Sequence, residues 1–416
     1  MKQNVLLILC TAFFCSLYIS PMDALPLVLD AATAALCVYS VVVAGKSWGR
    51  RLREGKVLWL WIVLYAWTVV SAALSHDQAE GWSYVVLRLP ILVFPLSVGT
   101  LRLSGAVRDR ILLSYALVTT LACLACLVYA FLQYRRTGDA GFLYDDALTE
   151  LSSLQSVYVA LMVEIALFSF GYLLTRGGPR WIYVCIAFLL VFQFMLASRI
   201  GIVLFYSLSL GLGAWYLGVR QRRWGRVLVL AGILGACGLL CVTFFPKTLN
   251  RFRELHYTSY RFDSHGVESH YNMPVTADQW NGANIRLAVW RCTWTVCRDH
   301  LWTGVPVGDK REALVQSYKA VGFDFAAQSR RNTHNTYLDV LLTFGLGGLA
   351  LFLAGFVVGP LIAMVRRRNL PGGIAVVLFT VSMVTETYLD RSVGCVLLGF
   401  FYAFFLSARS GRAGPQ

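Results

Sequence analysis

Long apolar runs separated by short polar stretches repeat along nearly the whole chain. A helix that spans a bilayer needs about 20 mostly apolar residues. Twelve candidate runs fall near 4–20, 25–45, 57–75, 83–101, 111–133, 154–175, 181–198, 200–218, 227–246, 335–365, 373–388 and 393–408. The tenth is long enough to tilt or to extend past the bilayer. One interruption is much longer than the others, roughly 246–333. The pattern predicts an all-α polytopic membrane protein of about 12 transmembrane helices. It divides into spans 1–9 over 1–245, a large helical loop over 246–333 and spans 10–12 over 334–416. The first run follows Lys2 as a signal-peptide core would, but no small-residue cleavage site comes after it, so it reads as an uncleaved span.

Composition agrees with that picture. Charged residues make up only 14% of the chain, against about 25% in a soluble domain. The formal net charge of +15 would suit nucleic acid, but its Lys and Arg residues sit in short clusters between apolar runs, the signature of the positive-inside rule. One set of connections holds Lys46, Arg50, Arg51, Arg53 and Lys56, then Arg102, Arg108 and Arg110, and later Arg366, Arg367 and Arg368. The alternate set holds Asp23, Asp77 and Glu80, then Asp139, Asp145, Asp146 and Glu150, and later Glu386 and Asp390. The basic set is expected in the cytoplasm, which puts both termini there and the long loop outside. All six histidines, including His265 and His270, then fall on the outer side. Most of the 11 cysteines lie in apolar runs; Cys123 and Cys126, although a C-x-x-C, read as small buried hydrophobes.

The cytoplasmic connections carry no phosphate-binding G-x-x-x-x-G-K-[ST] loop, so ATP use is not indicated. Candidate chemistry therefore gathers at the outer ends of the spans. Arg88 lies a turn or two inside the fourth run and Arg199 starts the eighth. Alone, each reads as a cation snorkelling to the headgroups; together on one face they form an anion site, because guanidinium forks match phosphate oxygens. Glu164, inside the sixth run, reads as one half of a structural hydrogen-bonded pair. The long loop holds twelve basic and eight acidic side chains, an excess that suits an anionic ligand. Its stretch N-I-R-L-A-V-W-R-C-T-W reads as a helix with Arg286 and Trp290 on one face; tryptophan there is also what interfacial anchoring requires. Cys292 and Cys297 point to different sides of that helix, against a mutual disulfide. His256, His265 and His270 fit no common zinc spacing, and no metal or cofactor is expected. In R-R-N-T-H-N-T-Y-L-D, His334 stands at the start of the tenth run beside Arg330 and Arg331. Imidazole suits proton transfer near neutral pH, and adjacent cations favour the neutral form that a general base requires. A histidine bonded to backbone at a helix start is the structural alternative.

The segments S-R-I-G-I-V-L at Arg199, N-I-R-L-A-V-W at Arg286, T-G-V-P-V-G-D, and H-N-T-Y-L-D-V-L-L-T-F-G-L-G-G at His334 together resemble the O-antigen ligase and polymerase family of bacterial inner-membrane glycosyltransferases. The resemblance implies an active site on the periplasmic face with Arg199, Arg286 and His334 in it. It also implies an undecaprenyl-diphosphate-linked O-antigen donor, a lipid A–core acceptor in the ligase case, the bilayer as surroundings, and no nucleic acid. Arg88 joins the expected diphosphate site on charge and sidedness. Trp290, Asn335, Tyr337, Asp390 and Arg391 are secondary candidates. Length and the H-N-x-x-L form favour a ligase over a polymerase using the same donor. A polyprenyl-glycan flippase is the reading from another class, although the two halves show no repeat of the kind transporters carry.

Overall fold

The computed structural model describes residues 2–19, 27–264, 268–269 and 279–409; Asp23, His265 and His270 lie outside them. The chain runs through helices α1 (Lys2–Ile19), α2 (Leu27–Ala44), α3 (Lys56–Ala73), α4 (Gln78–Leu87), α5 (Leu89–Leu96), α6 (Gly105–Thr137), α7 (Ser156–Thr175), α8 (Ile182–Met195), α9 (Arg199–Gly213) and α10 (Trp224–Phe244). The loop region carries α11 (Pro246–Arg253), α12 (Asn284–Asp299), α13 (Lys310–Ala320) and α14 (Asp324–Gln328). The chain returns to the bundle through α15 (Thr336–Phe352), α16 (Leu370–Ser382) and α17 (Ser392–Leu406). Among the described residues, eight helical stretches are long and apolar enough to cross a membrane and four more apolar helices are shorter. These twelve coincide with the twelve apolar runs, and the protein is an all-α polytopic membrane protein. Among the described residues its β-structure is a two-residue parallel pairing of Arg102–Leu103 with Ala408–Arg409 and an isolated bridge between Glu268 and Trp280.

The two sets of connections occupy opposite ends of the bundle. At one end Arg108 Nη2 donates to the Ser407 carbonyl at 2.6 Å, and the guanidinium of Arg51 donates to the Thr100 carbonyl at 3.2 Å. At the other end the acidic connections meet the loop. Asp309 accepts the backbone N–H groups of His76 and Asp77, both at 2.9 Å, and Arg251 bonds Asp145. The backbone N–H groups of Val307 and Gly308 donate to Ser71 and Ser75 at 2.9 Å. A methyl at Gly308 would collide with the Asp77 carbonyl, so this position in the V-G-D turn has room only for glycine.

The loop also has an apolar core of its own. Trp280, Ile285, Ala288, Val289, Leu314, Tyr318 and Phe323 pack together and onto Leu341 and Leu342 of α15. The free cysteines Cys292 and Cys297 are both buried in it. Burial pushes their thiols up, to about 11 and about 12.

Helix α15 is broken at Gly345, whose φ of 65° and ψ of −166° suit glycine alone. In an unbroken helix the Leu346 N–H would donate to the Leu342 carbonyl. Instead Leu346 N–H donates to the Leu301 carbonyl at 2.9 Å, and the Leu342 carbonyl accepts from Val305 N–H at 2.7 Å. One helical hydrogen bond is opened and both halves are satisfied by the loop. At 1.5 Å per residue these positions lie roughly 9–15 Å inside the helix start. Irregular backbone is tolerated at such depth because protein buries it.

Candidate functional site

The local sequence fixes each arginine through backbone carbonyls. At the start of α9, Ser198 caps the helix by accepting Gly201 N–H at 3.4 Å. Gly201 has no room for a side chain, since an added methyl would meet Gln193 Nε2 and lie 2.8 Å from Glu164 Oε1. Glu164 and Gln193, bonded at 3.3 Å, form the structural pair expected at Glu164. Arg199, the first residue of α9, donates from Nη1 to the Arg251 carbonyl at 3.0 Å and stands 3.8 Å from Glu254. Arg251 returns a bond from Nη1 to the Ala197 carbonyl at 3.1 Å and pairs with Asp145 at 3.1 Å.

The turn before α12 delivers the third guanidinium. Asn281 Oδ1 accepts the backbone N–H groups of Ala283 and Asn284, and Asn284 Oδ1 accepts that of Asn281. Arg286 then donates from Nη1 to the Gly282 carbonyl at 2.5 Å and from Nε to the Thr385 carbonyl at 3.2 Å. The two expected arginines converge at Gly282. A methyl there would lie 2.9 Å from Arg199 Nη2 and 3.3 Å from Arg286 Nη1. In Arg199 and Arg286 alike, Nη2 stays outside these hydrogen bonds among the described residues. Burial lowers Arg286 from the ordinary guanidinium value, and Arg251 and Arg331 add to that against the pull of Glu386 and Glu268. Three cations thus meet in a half-buried place, held by neutral carbonyls more than by carboxylates. A polyanion entering there would relieve their mutual repulsion.

His334 lies across the segment that Arg286 touches. Its φ of 42° is left-handed, a conformation that costs a residue with a side chain of order 1–3 kcal/mol and persists only where surroundings impose it. Here Asn332 Oδ1 accepts the His334 N–H at 3.2 Å, Asn332 Nδ2 donates to Thr387 Oγ1 at 2.8 Å, and Trp290 Nε1 donates to the Thr333 carbonyl at 3.0 Å. His334 Nδ1 faces Glu386 Oε2 at 3.6 Å. The eleventh apolar run was expected to be helical to 388, but α16 ends at Ser382, and the turn after it carries Glu386 inward, 5% exposed. That turn is held by Thr336, whose N–H reaches the Met383 and Glu386 carbonyls and whose Oγ1 donates to Glu386 O at 2.6 Å. Burial would raise the Glu386 carboxyl, yet it sits below the usual range because His334, Arg286 and the Thr387 N–H favour the anion.

Arg88 is not at the surface. It is 2% exposed and lies in a closed network with Lys310, Asp339 and Asp390. Arg88 Nη2 is 3.2 Å from Asp390 and 3.6 Å from Asp339, and Nε donates to the Leu389 carbonyl. Lys310 Nζ touches all four carboxylate oxygens at 2.7–2.9 Å. Two cations balance two anions, which leaves Arg88 Nη1 buried without a hydrogen-bond partner among the described residues; in place of the expected surface contact with a diphosphate, Arg88 is engaged in a buried ion-pair network. Among the secondary candidates Asp390 belongs to this network, Asn335 caps α15 by accepting Leu338 N–H, and Tyr337 donates to the Thr380 carbonyl. Trp290 braces the His334 turn, and Arg391 is exposed. Arg330 and Arg331, expected beside the histidine, are paired with Glu312 and Glu268.

Sequence reasoning had placed Arg251 only among loop cations and Glu386 only among outer acids. Residues 184–353, a stretch with Arg199, Arg251, Arg286 and His334 in it, match the family model described as O-antigen ligase. Among curated proteins, none matches the chain significantly.

Proposed function

Taking as premise that residues 184–353 match the family model described as O-antigen ligase, we propose that the protein transfers O-antigen polysaccharide from undecaprenyl diphosphate to a sugar hydroxyl of lipid A–core oligosaccharide. The reaction takes place on the periplasmic face of the bacterial inner membrane, with both termini in the cytoplasm. The observation that carries the reading is the convergence of Arg199 and Arg286 at Gly282, joined by Arg251, beside a histidine held in a left-handed turn.

The acceptor oxygen attacks the anomeric carbon, the bond from that carbon to the diphosphate oxygen breaks, and undecaprenyl diphosphate leaves. His334 takes the hydroxyl proton as the new bond forms. Arg199, Arg286 and Arg251 receive the charge that grows on the diphosphate, in orientations already fixed by carbonyl bonds; Arg251 takes the third position that charge and sidedness had suggested for Arg88. Guanidinium groups here supply what a divalent cation supplies in many glycosyltransferases. A single displacement inverts the anomeric configuration, and the diphosphate leaving group makes ATP unnecessary.

The test is transfer between purified donor and acceptor lipids in proteoliposomes containing EDTA. Wild type retains full activity with chelator. His334→Ala loses about 10²–10⁴-fold, the usual contribution of general-base catalysis. Arg286→Lys keeps a charge but loses the fork and falls about 10–100-fold, as the loss of one charge-assisted hydrogen bond implies. Full activity of either variant overturns the assigned role, and loss with EDTA overturns metal independence. In a deletion strain a ligase leaves core without O-antigen and polymer on the carrier lipid, whereas a polymerase leaves core bearing one repeat.

A further inference from the structure

Resting on the proton-accepting role of His334, we infer that Glu386 is the positioning carboxylate of that histidine. It holds the imidazole with the proton on Nδ1 so that Nε2 faces the acceptor hydroxyl. The geometry is specific. Nδ1 is buried, lacks a hydrogen-bond partner among the described residues, and has Glu386 Oε2 at 3.6 Å, a separation one small side-chain rotation closes; catalytic hydrogen bonds often tighten only when substrate is bound. Glu386 cannot swing away, because its Oε1 accepts Thr387 N–H at 3.2 Å and its carbonyl is bonded twice by Thr336. The left-handed turn at His334, fixed by Asn332 and braced by Trp290, aims the ring at this carboxylate. An imidazole oriented through one nitrogen by a carboxylate while the other nitrogen transfers the proton is a recurring catalytic arrangement on unrelated folds.

With Glu386 ionised, the imidazolium that forms on proton transfer has a carboxylate facing its Nδ1. The charged and titratable groups facing the pair are Arg286 from α12, Tyr158 from α7 and Tyr388 on the far side of the turn. Arg286 helps to hold Glu386 ionised.

The experiment compares wild type, Glu386→Gln, Glu386→Asp and His334→Ala in the reconstituted transfer assay from about pH 5 to 9, the window in which a histidine titrates. Glutamine has the same shape but donates a proton to Nδ1 and forces the wrong tautomer. Its kcat is expected to fall about 10²–10⁴-fold with little change in donor KM. Glu386→Asp recovers part of the loss. Imidazole nitrogen NMR reads the tautomer directly, with the Nδ1–H form in wild type and the Nε2–H form in Glu386→Gln. A Glu386→Gln enzyme within twofold of wild type refutes the inference. So does one that loses activity with an unchanged tautomer, since that is what a purely structural role produces. A fully active His334→Ala would instead remove the base role itself. An inactive His334→Ala beside an active Glu386→Gln removes only this inference.

Discussion

Lys310→Met separates the two buried charge clusters by function. Lys310 Nζ contacts both oxygens of Asp339 and both of Asp390 within 2.9 Å, and all four members of the network are at most 7% exposed, so solvent screening is minimal. Methionine preserves the stem volume and removes the charge, which leaves two carboxylates against one guanidinium. Removing one partner of a buried ion pair costs about 3–5 kcal/mol. Unfolding entropy near 2.1 cal/mol/K per residue, over 416 residues, turns that into a fall of roughly 3–6 °C in the thermal midpoint. Intrinsic tryptophan fluorescence of the detergent-solubilised protein measures it. The two carboxylates raise Lys310 above the ordinary lysine value against the opposing effect of burial. Its contribution is therefore complete below the unfolded lysine pKa and is lost only as pH rises through the higher folded value. The destabilisation should keep its full size from about pH 6 to 9, since lysine unfolds with a pKa near 10.4. Adding Asp339→Asn restores one cation to one anion, Arg88 to Asp390, and should recover more than half of the loss. A single variant that melts within about 1 °C of wild type, well inside the shift derived above, or a double variant less stable than the single, would refute the charge argument.

Gly282→Ala puts a methyl against Arg199 and Arg286 and should raise donor KM about 10–100-fold, as misplacing binding groups by a fraction of an ångström does, with an unchanged melting temperature. Glu386 has a folded pKa below its unfolded value of about 4.3, so it contributes stability above that pH, which disappears as pH falls through the folded value. In acid melts, Glu386→Gln should therefore show a shallower loss of stability below about pH 4.5, the region where an unfolded glutamate takes up its proton. Cys292 and Cys297, pushed up to about 11 and about 12 by burial, should resist a maleimide at neutral pH and label only on unfolding. Labelling of the native protein would disprove their burial.

Much of the fold was legible because a spanning helix announces itself locally. The twelve apolar runs fall on twelve helical stretches among the described residues, the fourth divided into α4 and α5, and the N-I-R-L-A-V-W stretch became α12. Arg199, Arg286 and His334 could be singled out because each begins or lies in a recognisable segment. Glu386 could not, since it lies near the end of an apolar run that reads as continuous helix and its partner is 52 positions earlier in the chain. Arg251 looked like any loop arginine; only the carbonyl of its own residue, which receives Arg199, reveals its place. Arg88 was misjudged because charge and sidedness say nothing about partners 251 and 302 residues away in sequence. The break at Gly345 had a local sign in F-G-L-G-G, but the strand of loop that fills it had none.

That break has a consequence for how the chain is made. Leu342 and Leu346 cannot complete their backbone bonds from within α15; they wait for Leu301 and Val305, which are synthesised about forty residues earlier and lie in the long loop. The insertion machinery must therefore release about the last fifth of the protein with a helix, α15, that is only stable once a loop segment made before it folds back beside it. Assembly is ordered: loop first, helix second. A nascent chain halted between the two would leave a membrane helix with an open rung, recognisable to quality control as unfinished.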